Sequence, residues 1–140
     1  MNTFEIRVYC KSTTQIPLLV SLFVDDHCFY TGQEDSHDVI YNFEYDETSI
    51  CEHTFGIKLE GKRQLIDEKN DTETCLEIIN LTFDGHDVKK TWENCDYTHN
   101  HNGFGDNTVE TLSDFMGCDG IARFQFYTPI SYWFSLRYPF

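Results

Sequence analysis

Alanine occurs once in this 140-residue chain, at Ala122, and methionine only twice. The Ala-rich, unbranched blend that builds helical bundles is therefore missing. Basic residues are scarce as well: ten Lys and Arg stand against 24 Asp and Glu, for a formal net charge of −14. Such a surface repels phosphate backbones and anionic headgroups, which argues against nucleic-acid and membrane partners. No apolar run approaches the ~18 residues of a membrane-spanning helix. The six cysteines, at 10, 28, 51, 75, 95 and 118, include no CxxC pair. That removes the closely spaced ligands of zinc ribbons and thioredoxin-like redox centres. GxSxG, HExxH and P-loop motifs are absent, and no spacing singles out a catalytic triad, so an enzyme is not expected.

What is present points to strands. Aromatics make up 16% of residues, with 12 Phe and 8 Tyr, and aromatic and β-branched side chains suit a pleated, half-buried surface. Apolar residues alternate with polar ones in segment after segment. Phe4, Ile6 and Val8 share one face; Leu18, Val20, Leu22 and Val24 share another. Val39, Tyr41, Phe43 and Tyr45 repeat the pattern, as do Phe55, Ile57 and Leu59 after His53. Asp25-Asp26-His27, Asp46 to Ser49 and Asp84-Gly85 read as turns. Residues 89–120 lose the rhythm and read as one long loop, with a helical turn expected at Val109 to Phe115. Ile121 to Tyr127 and the apolar Ile130 to Leu136 read as closing strands. The expectation is one domain over 1–140: an all-β, antiparallel, jelly-roll-like sandwich of about seven or eight strands. Met1 leads directly into Thr3–Val8, so no signal peptide is expected and the thiols are expected to be reduced.

Three stretches carry a resemblance: Glu52 to Lys62, Leu76 to Val88 and Gly120 to Trp133. The first holds His53-Thr54-Phe55-Gly56-Ile57-Lys58-Leu59, the second Ile78-Ile79-Asn80-Leu81-Thr82-Phe83-Asp84-Gly85, and the third Phe124-Gln125-Phe126 with Pro129 and Trp133. Together they resemble small β-sandwich virion structural proteins of large tailed phages of marine cyanobacteria. The layout is also similar to that of calcium-dependent xylan-binding modules, which are jelly rolls. The first resemblance implies a virion-associated structural or accessory protein, a capsid decoration or a tail or fibre component. It would be made in the host cytoplasm, then held in the virion by other virion proteins or by self-association. The second implies a carbohydrate-binding module for host-surface polysaccharide, with calcium bridging protein and sugar.

Candidate sites follow from residue chemistry. Trp92, Tyr97 and Phe104, beside Asn100 and Asn102, supply rings for stacking on sugars and amides for their hydroxyls. The same rings could instead plug one end of the sandwich. Asp25, Asp26, Glu34, Asp35 and Asp38 are oxygen donors of the kind calcium takes, should they cluster at one end. His99 and His101 could ligate a transition metal. No cofactor other than calcium is expected. The apolar terminus, with Tyr138 and Phe140, is a candidate docking segment.

Overall fold

Period-two alternation requires one face of each strand to find a second apolar face, and two packed sheets satisfy that requirement. The computed structural model describes residues 2–12, 18–60, 76–93, 95–99, 108–111, 115–116 and 120–137. The strands are β1 (Asn2–Ser12), β2 (Leu19–Val24), β3 (His27–Gly32), β4 (Ser36–Tyr45), β5 (Cys51–Glu60), β6 (Leu76–Phe83), β7 (His86–Asp87), β8 (Asp96–His99), β9 (Thr108–Thr111), β10 (Phe115–Met116) and β11 (Gly120–Thr128). Two short helices, α1 (Lys89–Glu93) and α2 (Ile130–Arg137), complete the described elements.

One sheet has the order β10-β6-β1-β4, with β7 added to β6; the other runs β3-β2-β5-β11-β8-β9. Every pairing recorded in both sheets is antiparallel. The all-β sandwich is therefore the architecture, and the chain crosses repeatedly between its two layers, as in a jelly roll. No described helix is long and apolar enough to cross a membrane.

The inner faces are those the alternation names. Phe4, Ile6 and Val8 meet Phe55, Ile57 and Leu59 across the core, and all six are at most 2% exposed. Phe83 sits at the centre. Its ring lies 5.6 Å from Phe4, 5.8 Å from Phe55, 5.8 Å from Phe124, 5.2 Å from Phe126 and 5.7 Å from Trp133. The Asp84-Gly85 turn follows directly, with φ of 52° and 82°. Both residues occupy the left-handed region that a two-residue hairpin needs, which is why Asp-Gly stands there. On β6 the register slips opposite Tyr9 and Cys10, which face Asn80 and Ile78, so Ile79 bulges outward and is exposed. Along the flank where β3 and β4 meet, Phe29 stacks on Tyr41 at 4.3 Å, with rings 9° from parallel.

Two expectations are corrected. Ile130 to Leu136 is not a strand but part of α2. Pro129 has no N–H to donate to a sheet, and its carbonyl accepts instead from Tyr132 N at 3.0 Å, opening a helical turn. Trp133 nevertheless stays in the core, 1% exposed. Val109 to Phe115 is not a helical turn: β9 and β10 occupy its ends, and 112–114 lie outside the described residues. The expected loop thus carries strands β8, β9 and β10 as well as α1.

His37 is buried on β4, where its Nδ1 meets the Tyr30 hydroxyl at 2.5 Å and its Nε2 has no partner among the described residues. Burial lowers its pKa below the ordinary imidazole value. The unfolded chain then binds this proton first. The stability contribution is complete above the unfolded value of about 6.5 and is lost as pH falls from there through the lowered folded value. Urea unfolding at several pH values should show a wild-type loss on the acid side that His37→Asn reduces. Truncating Phe83 to Ala should cost about 3–5 kcal/mol in the same assay; a cost below ~1 kcal/mol would contradict its central position.

Candidate functional site

The outer face of the six-stranded sheet is built by register. Phe23 on β2 stands opposite Gly56 on β5, Gly56 opposite Arg123 on β11, and Arg123 opposite Asp96 on β8. These four residues form one row across four strands, on the side away from the core. Strands lie about 4.8 Å apart, so Phe23 and Arg123 flank a gap about 10 Å wide. Its floor is low because Gly56 has no side chain. The nearest atoms a Cβ there would meet are Ala122 O and Ile121 Cδ1 at 3.5 Å and Arg123 Cβ at 3.6 Å, which is ordinary contact.

Two adjoining depressions follow this row. One, of about 300 Å³, is lined by Thr54, Asp96, Arg123, Phe124 and Gln125. The other, of about 240 Å³, is lined by Phe23, Asp25, Asp26, Thr54, Gly56, Ile121 and Arg123. Thr54 and Arg123 belong to both, so the two make one trough. Among the described residues, the Arg123 guanidinium, Asp26 and Asp96 take part in no ion pair, and all three are exposed. The trough therefore offers a planar donor, free carboxylate acceptors, the Gln125 amide, the Thr54 hydroxyl and a half-buried ring.

One wall is held in place by a relay. Asp25 adopts φ 54° in the β2–β3 turn. Its Oδ1 accepts from Thr54 N at 2.9 Å, and its Oδ2 accepts from His53 Nδ1 at 2.9 Å. In the neutral ring, His53 Nε2 then accepts from the Thr128 hydroxyl at 3.1 Å. Rings of Phe43 and Phe126 pack on the imidazole at 4.8 and 5.4 Å. Hydroxyl, imidazole and carboxylate stand in the order of a hydrolytic triad. Thr128 is 1% exposed, however, so no substrate carbonyl can reach its oxygen. The relay ties the turn to the end of β11.

The residues singled out from the sequence fall elsewhere. Trp92 and Tyr97 are 0% and 5% exposed, with Trp92 packed on Phe55 at 6.3 Å. Rings covered in this way cannot form a stacking platform, and their place is in the core. Asn100, Asn102, Phe104, His101, Tyr138 and Phe140 lie outside the described residues, as does the side chain of His99, whose backbone ends β8. The acidic set does not converge. Asp25 and Asp26 precede β3, whereas Glu34 and Asp35 follow it, at its other end. Asp38 lies on the opposite sheet, held by Arg7 through Nε at 3.2 Å and Nη2 at 3.0 Å. Among the described residues no group of three or more His, Cys, Asp or Glu side chains forms a candidate metal site. Cys10, Cys28, Cys51 and Cys95 are free thiols, and burial pushes Cys10 and Cys95 up to about 12, so both remain protonated.

Sequence reading passed over Phe23, Gly56, Arg123, Gln125 and Asp96. The available signal was Gly56, a lone glycine inside a strand pattern, which marks a place where something approaches the backbone closely.

No protein-family model and no curated protein matches the chain. Among solved structures, it is similar in chain course to "vCBM60 in complex with galactobiose", with 14% identity and a TM-score of 0.46. The alignment covers 88% of this chain and 97% of that one.

If the relay fixes the turn, His53→Ala and Asp25→Ala should each destabilise the fold by about 1–2 kcal/mol. The double variant should fall short of their sum by about 1 kcal/mol, since Asp25 is half exposed and partly screened. Simple additivity in a denaturant-unfolding cycle would show that the two side chains act separately.

Proposed function

We propose that this chain is a non-catalytic carbohydrate-binding module that holds a glycan in the trough across its six-stranded sheet. The observation that carries this reading is the row Phe23–Gly56–Arg123–Asp96. It sets a ring beside a side-chain-free floor and places unpaired hydrogen-bonding groups at the far wall. Sugars require that combination: their C–H faces pack on apolar rings, and their hydroxyls both donate and accept. Arg123 and Gln125 donate to sugar oxygens, while Asp96, Asp26 and the Thr54 hydroxyl accept from sugar hydroxyls. A shallow, open trough admits an internal stretch of polymer as readily as a chain end.

The partner in this reading is a polysaccharide. Attachment to a virion is what the other resemblance implies, and no described surface favours it over binding a glycan.

Binding to a panel of soluble polysaccharides, followed by calorimetry, tests the trough. Arg123→Ala and Phe23→Ala should each weaken binding about tenfold or more, with the unfolding midpoint nearly unchanged. Gly56→Ala should fold and bind, whereas Gly56→Leu should fill the floor and abolish binding. A panel with no ligand, or binding indifferent to all these changes, would remove the proposal.

A further inference from the structure

The walls of the trough are unequal in charge. Among the described residues, Asp25, Asp26 and Asp96 line it, against Arg123 alone. Lys58 lies on the same outer face, in the row next to Gly56, but its ammonium pairs with Glu60 at 3.3 Å. Asp25 is engaged by His53 and Thr54, which leaves Asp26 as the exposed carboxylate at the β2–β3 mouth with no ion pair among the described residues. The chain as a whole adds a formal −14. Anionic sugars, with uronate or sulfate groups, meet a repelling field here, and a cationic group meets an attracting one.

We infer that the glycan taken by this trough carries free amino groups, an amino-sugar polymer, with an ammonium seated at Asp26. The inference rests on the glycan-binding reading and adds the chemical class. Arg123 does not oppose it. Asp26 belongs to the turn after β2, two strands away from β11, and Arg123 faces the sugar's oxygens at the opposite wall. The separation lets one ring present hydroxyls to the guanidinium while its neighbour presents nitrogen to the carboxylate.

The test uses three hexasaccharides of equal length: glucosamine, N-acetylglucosamine and galacturonate. Binding is measured by calorimetry at about pH 6, where amines are charged and carboxylates ionised, in about 20 and about 200 mM salt. The glucosamine oligomer should bind about tenfold tighter than its N-acetylated counterpart at low salt, with the galacturonate oligomer unbound. The advantage should shrink at high salt. It should also shrink in Asp26→Asn and in Asp96→Asn, but not in Glu44→Gln, which removes an exposed carboxylate from the other sheet. Thermal unfolding confirms that each variant is folded. Equal loss in all three variants would assign the preference to the overall charge and overturn the inference. Equal affinity for the glucosamine and N-acetylglucosamine oligomers overturns the amino-group selection and leaves the glycan-binding reading standing. Absence of binding to these oligomers and to the polysaccharide panel overturns both.

Discussion

The ring of Phe83 is in contact with rings from β1, β5, β11 and α2, so one side chain gathers both sheets and the closing helix. Sheets stacked face to face stand about 10 Å apart because interleaved side chains of this size fill the space. Edge-on and tilted ring pairs satisfy the quadrupole of each aromatic, which adds a geometric preference to plain burial. The outer surface inherits that rigidity. Phe124 packs on Phe83 from β11, the strand that carries Arg123 outward at the next position, and Phe55 does the same beside Gly56 on β5. The trough is therefore the reverse side of the core, with a shape set by strands rather than by loops.

The sandwich was legible because alternation survives in strands that bury one face. Phe55, Ile57 and Leu59 on β5 announce both the strand and its inner side. The segment after Pro129 shows where the rule fails. Ile130, Tyr132, Phe134 and Leu136 alternate, yet Ile130 and Trp133, three apart, are the buried pair. A short apolar run fits both periods, and only the surrounding fold chooses between them. Trp92 misled for a related reason. Asn, Asp and Gly in the segment around a large ring suggest exposure, whereas Asp87 accepts from Lys89 N at 2.9 Å at the start of α1, and that helix turns Trp92 into the core.

The trough itself was illegible because its residues come from four strands whose order in the sheet is not their order in sequence. Composition indicates that Arg and Asp are present; only register shows that Arg123, Gly56 and Phe23 share a row. The acidic residues show the converse. Clustered in sequence around β3, they are separated by the strand itself, and Asp38 crosses to a different sheet and a different partner.

The stacked pair of Phe29 and Tyr41 has a consequence for how copies of this chain meet. Among the described strands, β3 and β4 are terminal in their sheets on one flank, and an edge of this kind invites a foreign strand. Capping that seam with two parallel rings shields the apolar interior between the layers. Of the outward positions of β4 beside this rim, Glu44 carries an exposed carboxylate, whereas Asp38 is paired with Arg7. Two molecules approaching rim to rim would each bring a formal charge of −14, so the flank that seals the core meets a repelling partner rather than a strand to pair with.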